Sequence, residues 1–306
     1  MSRREVLVTG GAGFIGSHVV DRLVAAGYGV RVLDDLSAGS LANIGVHLRG
    51  GAVRFVKGDV RDVDAVRLCV EGVDAVLHLA AVVSVPLSVE KPEFTRSVNV
   101  EGTRVVLEAA AQAGVERVVY ASSCAVYGEP VCLPVDEAHP TCPVSPYAWS
   151  KLQAERVCGG FQRRLSCTVL RLFNVYGPRQ GDGDYAGVIT RFISRARRGE
   201  ALVVYGDGAQ TRDFVSVFDV AEAFLLALQG EAGVFNVGSG VPTTVNALAQ
   251  LVLDLTGARV GLAYAAPRAG DIRHSYADIS RARQRLGFQP RVSLREGLRG
   301  LVEALA

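Results

Sequence analysis

Two side chains four residues apart have the types and the spacing of a proton-transfer pair. Tyr147 and Lys151 form a Tyr-x-x-x-Lys step, which places both on one face of a helix. A free phenol has a pKa of about 10 and is a poor base at neutral pH, but the charge of a neighbouring lysine lowers that pKa. Ser123 follows an apolar run and can hydrogen-bond a reacting hydroxyl. We therefore predict that Ser123, Tyr147 and Lys151 are catalytic.

A glycine-rich loop near the start of the chain predicts a phosphate-binding site. Residues 10–16 contain the spacing Gly11-x-Gly13-x-x-Gly16, between an apolar run at 5–9 and a helical pattern. Glycines permit a tight turn and let the backbone approach a pyrophosphate, which the N–H groups of the helix N-terminus then bind. The motif alone is a weak signal. Together with the Tyr-x-x-x-Lys step, it indicates a redox site with a bound dinucleotide.

Acidic residues after the next two apolar runs refine this prediction. Asp34 ends the second run, and Asp35 follows it. A carboxylate there accepts hydrogen bonds from the adenine ribose hydroxyls and repels a 2′-phosphate, which favours NAD over NADP. Asp59 follows the third run and has two interpretations: it contacts the adenine, or it caps a helix.

The bulk composition excludes several classes of partner. The chain has 306 residues, of which 49% are hydrophobic, and this is enough for one large domain or two smaller ones. A net charge of +2 gives no reason to expect nucleic acid or an anionic membrane as a partner. No stretch approaches the roughly 20 apolar residues of a membrane span, and the first apolar run leads into the glycine loop rather than a signal-peptide cleavage site.

Six cysteines are present, without a C-x-x-C pair or an accompanying histidine cluster. We expect them to be reduced, in a cytoplasmic protein that holds no metal. They are Cys69, Cys124, Cys132, Cys142, Cys158 and Cys167.

Apolar runs alternate with helical patterns over the first half of the chain. This order predicts an α/β fold with a doubly wound parallel Rossmann sheet. The predicted strands are 5–9, 30–34, 53–56, 75–79, 117–121 and 168–172, and the two clearest helices run from about 99 to 113 and from about 146 to 164.

The alternation ends after Asn174, where residues 177–184 have the composition of a loop. We therefore predict an NAD-binding domain at 1–175 and a smaller, mixed C-terminal substrate domain at 176–306. The apolar run at 235–237, within a segment near 214–239, is predicted to return to the main sheet.

The chain resembles the extended short-chain dehydrogenase/reductases over essentially its full length, and within them the nucleotide-sugar C4-epimerases. The matching segments are 9–16, 78–81, 99–103, 122–123, 127–128, 147–151 and 171–178. The resemblance implies NAD-dependent C4 epimerisation of a UDP-hexose, UDP-glucose or UDP-galactose and also the N-acetylated pair, through a transient 4-keto sugar. It implies Tyr147 as the base, assisted by Lys151 and Ser123. It further implies a homodimer formed through the helices near 99–113 and 147–164.

The same resemblance implies the residues that contact each ligand. For NAD they are Gly10, Gly13, Phe14, Ile15, Gly16, Asp34, Asp35, Asp59, Val60, Leu79, Ala80, Ala81, Asn99, Tyr147, Lys151 and Phe173. For the UDP-sugar they are Ser84, Ser123, Tyr147, Asn174, Val188, Arg212, Arg268, Asp271 and Ser275, with Arg212 and Arg268 at the diphosphate.

Ser275 is the residue that we expect to set sugar specificity. Residues 270–278 and 180–189 resemble those of epimerases that accept N-acetylated sugars, and a serine leaves room for an acetamido group where epimerases of plain hexoses carry a bulky aromatic. A shift of one residue in this comparison would place Tyr276 there and reverse the expectation.

Other functions remain open at this level. A sugar-nucleotide 4,6-dehydratase needs an acid and a base after the serine, usually Asp-Glu, whereas this chain has Cys124 and Ala125. A decarboxylating relative would similarly need a carboxylate nearby. A non-catalytic NAD-binding sensor is the alternative from another class, but such proteins typically lose the tyrosine or the lysine. Trp149, inside the Tyr-x-x-x-Lys step, departs from the family's usual smaller residues, and Ala125 departs from its frequent threonine.

Overall fold

The computed structural model describes residues 4–181, 187–267 and 270–304. Its strands are β1 Glu5–Thr9, β2 Gly29–Asp34, β3 Val53–Lys57, β4 Ala75–His78, β5 Arg117–Ser123, β6 Ser166–Leu172, β7 Asn174–Tyr176, β8 Leu202–Tyr205, β9 Thr211–Ser216, β10 Gly233–Val237, β11 Pro242–Thr244 and β12 Leu262–Ala265. Its α-helices are α1 Phe14–Ala25, α2 Gly45–Arg49, α3 Val63–Val70, α4 Val85–Glu90, α5 Pro92–Arg96, α6 Gly102–Gln112, α7 Pro146–Phe161, α8 Val188–Arg197, α9 Val217–Gln229, α10 Val245–Thr256, α11 Ser280–Leu286 and α12 Leu294–Ala304.

The centre of the molecule is a seven-stranded sheet of order β10-β6-β5-β4-β1-β2-β3. All its strand pairs are parallel. Successive side chains of β1 enter opposite cores: Val6 and Val8 pack beneath α1 and α9, and Leu7 packs beneath α3 and α6. A strand buried on both faces reads as a continuous apolar run, which confirms the predicted doubly wound sheet.

The segment at 235–237 returns to this sheet as predicted, because β10 pairs with β6 and Phe235 lies opposite Leu170. Two helix boundaries differ from the prediction. The helix expected from about residue 99 begins as α6 at Gly102, since residues Ser97–Glu101 form a wider π-type turn. The helix expected to reach 164 ends at Phe161.

The remaining strands form two small sheets, β11-β9-β7 and β12-β8. Strand β7 follows β6 after a single residue, so the first small sheet begins at the carboxyl edge of the main sheet. A third apolar core, between α8, α10 and α12, lies beside these sheets. The division of the chain at residues 175 and 176 stays a prediction. Within the described ranges, no helix is long and apolar enough to cross a membrane.

Candidate active site

The glycine loop joins β1 to α1 and leaves the helix N-terminus uncapped. Gly10 has a φ of +70°, a conformation that favours glycine. Gly13 precedes Phe14 and Ile15 in the first turn of α1, where no side chain caps the helix and no acidic residue occurs. A Cβ at Gly16 would overlap the carbonyl oxygen of Gly10. The loop therefore fits a dinucleotide pyrophosphate, which the helix N-terminus attracts.

Asp34 lies beside this loop at the end of β2 and is 7% exposed. Its carboxylate accepts hydrogen bonds from the backbone N–H of Ala12 at 2.9 Å and of Leu36 at 2.8 Å. Burial raises the pKa of Asp34, and these two N–H groups oppose that rise. Asp35 is turned toward Ser37, whose N–H and hydroxyl donate to it at 2.9 and 2.6 Å. The structure thus holds Asp34 in place at the position predicted for the ribose.

Asp59 lies after β3 and pairs with Arg61 at 2.5 Å. Hydrogen bonds from the Arg61 side chain hold the pKa of Asp59 below its usual value. The interpretation of Asp59 as a helix cap is wrong, because Asp62 caps α3 by accepting from two N–H groups of its first turn. Val60 is buried against Gly102, where a Cβ would lie 2.7 Å from a Val60 methyl group.

The segment after β4 lies against the glycine loop. The N–H of Leu79 donates to the carbonyl oxygen of Thr9 at 3.1 Å, and the N–H of Ala80 donates to the Thr9 hydroxyl at 3.2 Å. A Cβ on Gly10 would lie 2.8 Å from the Ala80 nitrogen. Leu79 and Ala80 therefore lie directly against the glycine loop, and Ala81 follows them in the chain. Their contact with a dinucleotide stays a prediction.

Asn99 connects that wall to the helix that carries the tyrosine. Its side-chain oxygen accepts from the N–H of Val82 at 2.8 Å, and its nitrogen donates to Val82 O and to the Ser150 hydroxyl, both at 2.9 Å. Ser150 in turn donates to the carbonyl oxygen of Tyr147 at 2.7 Å. The predicted role of Asn99 at the cofactor is thus accompanied by a structural one.

Tyr147, Ser123 and Lys151 meet at the carboxyl edge of the main sheet. Helix α7 starts after Ser145, whose hydroxyl accepts from the N–H of Ala148 at 3.1 Å. This start places Tyr147 in the first turn and Lys151 one turn later. Ser123 ends β5, and its side chain lies close enough to the Tyr147 phenol to lower the pKa of that phenol. The constellation predicted from the Tyr-x-x-x-Lys step is therefore present in space.

The protonation of this group differs in one respect from the prediction. Burial raises the pKa of Tyr147 to about 12, and the protein group that lowers it is Ser123 rather than Lys151. The Lys151 ammonium donates to the carbonyl oxygen of Ala121 at 2.9 Å and lies 5.1 Å from the centroid of the Tyr120 ring. Burial lowers the pKa of Lys151 to about 8, against the charge of Glu155.

A buried ion pair next to the lysine escaped the sequence interpretation. Glu155 forms an ion pair with Arg171 at 2.7 Å and accepts a hydrogen bond from the Ser122 hydroxyl at 2.5 Å. Both ionic side chains are less than a tenth exposed. The available signal was spacing, since Glu155 follows Lys151 by four residues on α7 and shares its helix face.

Two of the predicted substrate residues, Asn174 and Arg212, lie on the small sheet β11-β9-β7. Asn174 begins β7 and donates to the carbonyl oxygen of Asp213 at 3.1 Å. Arg212 on β9 donates to the Asp271 carboxylate and to Thr211 O. Ser123 lies opposite Leu172 in the main sheet, and β7, which begins two residues after Leu172, pairs with β9, so the topology places Arg212 near the end of β5. The structure therefore brings the proposed phosphate ligand near the proposed base.

Three other predicted substrate residues have different placements. Ser84 caps α4, where its hydroxyl accepts from the N–H of Leu87 at 3.1 Å. Val188 is the first residue of α8. Arg268 lies outside the described residues, as do residues 182–186 of the 180–189 segment compared with the N-acetyl-accepting epimerases.

Burial alternates along residues 275–277, and the position that limits the sugar stays a prediction. Ser275 is 8% exposed and its N–H donates to Thr211 O at 3.2 Å. Ala277 packs in a small core with Phe173, the residue that separates β6 from β7. Alternate residues of an extended chain share a face, so Ser275 faces the same side as Ala277. Tyr276 is half-buried and lies on the other side.

A cavity of about 580 Å³ opens beside the Arg212–Asp271 pair. Its size is that of a small-molecule site. Asp271, a predicted substrate residue, lines this cavity. The sequence interpretation missed the other lining residues because they lie on separate small strands and loops. The lining includes Tyr205, Gly206, Asp207, Gln210 and Tyr264.

Comparison with known proteins agrees with this geometry. The family model "NAD dependent epimerase/dehydratase family" matches residues 6–238. The chain is 43% identical to the UDP-glucose 4-epimerase of Mycolicibacterium smegmatis over 98% of its own length and 97% of the relative's. A Thermotoga maritima UDP-glucose 4-epimerase structure with UDP-glucose has a TM-score of 0.94 and 41% identity, covering 98% of both chains. A Methanobrevibacter ruminantium UDP-N-acetylglucosamine 4-epimerase in complex with UDP-N-acetylmuramic acid has a TM-score of 0.95 and 37% identity, covering 100% of this chain and 99% of that one. The chain belongs to the NAD-dependent epimerase/dehydratase family.

Proposed function

We propose that this chain is a UDP-sugar 4-epimerase that interconverts UDP-hexoses at C4 with tightly bound NAD. The observation that carries the proposal is the placement of Tyr147 and Ser123: the Ser123 side chain lies beside the half-buried Tyr147 phenol, at the carboxyl edge of the sheet that also carries the glycine loop. The similarity to UDP-glucose and UDP-N-acetylglucosamine 4-epimerases supports the same activity.

The proposed chemistry gives each residue a separate task. Tyr147 removes the proton of the C4 hydroxyl and later returns one, while Ser123 holds that hydroxyl in line with the phenol. The glycine loop and Asp34 would hold NAD, which would supply the acceptor and donor of hydride at C4. Lys151 lies one helical turn from Tyr147, and its ammonium donates to the Ala121 carbonyl. Inversion at C4 would require that hydride return to the opposite face of the 4-keto sugar.

Inversion also requires a loose hold on the sugar and a firm hold on the nucleotide. Arg212 offers a guanidinium for the diphosphate, which matches the planar geometry that phosphates favour. The adjoining cavity, lined by Tyr205 and Gln210, has room for the nucleotide's uracil ring. Anchoring at this end leaves the hexose free to rotate about its diphosphate link between the two hydride transfers.

The residues that follow Ser123 do not fit the chemistry of a dehydratase. That reaction needs a proton donor and acceptor directly after the serine, where this chain has Cys124 and Ala125. Burial raises the pKa of the Cys124 thiol to about 12, and a thiol does not supply the pair of carboxyl groups that this elimination usually uses. Alanine has no proton to exchange. The epimerase therefore explains the residues present, and the dehydratase lacks its acid–base pair.

Product analysis tests this proposal directly. The purified protein is incubated with UDP-glucose and, separately, with UDP-N-acetylglucosamine, without added NAD, and the products are resolved by NMR. We expect the C4 epimer of each and no net change in oxidation state. A 4-keto-6-deoxy product would identify a dehydratase, and no product under any cofactor addition would favour a non-catalytic NAD-binding protein.

Cofactor preference provides a second test. Asp34→Ala is expected to narrow the preference for NAD over NADP by about 10- to 100-fold, because the carboxylate accepts from the ribose hydroxyls and repels a 2′-phosphate. Titration of apo-protein with each cofactor measures the ratio. Asp64→Ala, at a side chain that is 96% exposed, is the matched control and should leave the ratio unchanged. Equal affinities of the wild type for NAD and NADP would contradict the role of Asp34.

We also propose a localisation and an assembly for this protein. All six cysteines are free, which supports a reducing compartment, and we place the protein in the cytoplasm. We also propose a homodimer through α6 and α7. Trp149 on α7 is 43% exposed, and a large exposed aromatic is typical of an interface.

A further inference from the structure

A chain of buried hydrogen bonds links Thr9 on β1, His78 on β4 and Thr103 on α6. His78 ends β4 and is 1% exposed. Its Nδ1 lies 2.7 Å from the hydroxyl of Thr9, at the end of β1, and its Nε2 lies 2.9 Å from the hydroxyl of Thr103, in the first turn of α6. Both threonines are also buried. No role in the proposed reaction has yet been given to these three side chains.

The protons of this chain have one consistent arrangement. The Thr103 hydroxyl donates to the carbonyl oxygen of Asn99 at 2.7 Å, because a carbonyl can only accept. Its oxygen must then accept from His78, so the imidazole proton is on Nε2. The bare Nδ1 accepts from the Thr9 hydroxyl, whose oxygen in turn accepts from the N–H of Ala80. Burial, and then the charge of Lys151, lowers the pKa of His78 to about 3, which keeps the ring neutral.

The two ends of the chain reach the two halves of the site. Thr9 directly precedes Gly10 of the phosphate loop. At the other end, Asn99 holds Ser150, which is bonded to Tyr147 O on the catalytic helix. A continuous path of hydrogen bonds therefore joins the loop that binds the dinucleotide to the turn that carries the phenol. Networks of this kind rigidify a site when every member has its partner.

We propose that His78, as the neutral Nε2–H tautomer, is a positioning residue that acts through Thr103 and Asn99 to fix Tyr147 relative to the phosphate loop. The proposal rests on the proposed epimerase function for its kinetic test only. Hydride and proton transfer must occur at one carbon, so a small displacement of the phenol from the cofactor site lowers turnover without weakening nucleotide binding.

The tautomer is measurable without any assumption about function. In the full-length protein labelled with ¹⁵N-histidine, NMR distinguishes a protonated ring nitrogen from a bare one. We expect the His78 signals, assigned by their loss in His78→Gln, to show a proton on Nε2 and none on Nδ1, unchanged between pH 6 and 9. A proton on Nδ1, or titration within that range, would overturn the proposed arrangement.

The kinetic test removes one hydroxyl from the hydrogen-bonded chain, at Thr103. The same substitution at another buried threonine is the comparison. Thr103→Val removes the hydroxyl between His78 and Asn99 at nearly constant volume. Thr168→Val is the matched control, because the Thr168 hydroxyl on β6 is also buried but has no hydrogen-bond partner in the described part of the chain. We expect Thr103→Val to lower kcat by about tenfold with KM within twofold, and Thr168→Val to leave both unchanged.

Substitution of the histidine itself adds a rescue experiment. His78→Leu removes both hydrogen bonds and His78→Gln can restore a donor and an acceptor, so kcat should be higher in the glutamine variant. Equal kcat for Thr103→Val and Thr168→Val would overturn the positioning role, even if His78→Leu fails to fold. An inactive wild type would instead refute the proposed function, while the NMR result would still decide the tautomer.

Discussion

Tyr147→Phe is expected to lower kcat by ~10²-fold or more, because the ring remains while the hydroxyl that we propose exchanges the C4 proton is lost. Tyr147 is half-buried, and the Ser123 side chain lies beside its phenol. Its backbone contacts, from Tyr147 N to the Ser88 hydroxyl at 3.1 Å and from Ser150 to Tyr147 O, do not involve the hydroxyl. The start of α7 should therefore be retained, and NAD should remain bound.

Steady-state turnover of UDP-glucose and the amount of NAD released on denaturation measure the two parts of this prediction. Tyr28→Phe is the matched control, since the Tyr28 hydroxyl only accepts from Gln229 at the protein surface. It should turn over like the wild type. If Tyr147→Phe also retained wild-type turnover, Tyr147 would not be the base and the proposed mechanism would be wrong.

The backbone of the dinucleotide half was predictable because local rules determine it. The run at 5–9 became β1 since a parallel strand buried on both faces must be apolar throughout. Gly10 and Gly16 could be assigned to the loop because glycine favours the left-handed turn at Gly10 and a Cβ at either position would overlap neighbouring backbone atoms. Asp34 followed from the same logic, as the last residue of the next strand.

Side-chain partners were less predictable because they depend on residues distant in sequence. Lys151 was expected to lower the pKa of the phenol, but in the fold its ammonium is bonded to Ala121 O, thirty positions away. Asp59 was left with two roles, and only the structure shows Asp62 as the cap. The π-type turn at Ser97–Glu101 lies inside a segment with ordinary helical periodicity. None of these outcomes is encoded in local spacing.

The substrate half was predictable mainly through resemblance. Arg212 and Asp271 were chosen as separate ligands, and the structure shows them bonded to each other beside the cavity. Arg212 must exchange or share this partner when it binds a diphosphate. The cavity brings together Tyr205 from β8 and Tyr264 from β12, two strands of one small parallel sheet nearly sixty residues apart, and no periodicity in the sequence indicates that pairing.

Ser275→Tyr is expected to lower kcat/KM for UDP-N-acetylglucosamine on the order of 10²-fold more than for UDP-glucose. Ser275 is nearly buried, so a tyrosine there has no free space to fill, and if the serine lines the sugar pocket the added ring takes the volume that an acetamido group needs. Overpacking of a filled site costs about 1–3 kcal/mol. The acetamido group of the larger substrate bears that cost selectively, because steric exclusion distinguishes substrates instead of impairing the common chemistry.

The measurement is the ratio of kcat/KM for the two sugars in wild type, in Ser275→Tyr and in Ser275→Ala. The alanine variant removes the hydroxyl without adding volume, so its ratio should remain close to that of the wild type. A matched melting temperature separates selective exclusion from general loss of fold, since Ser275 is nearly buried. An unchanged ratio in Ser275→Tyr would show that this position does not limit the sugar pocket. A wild type that is inactive on the N-acetylated sugar would refute the assignment to the N-acetyl-accepting epimerases, and the enzyme would then be an epimerase of plain UDP-hexoses.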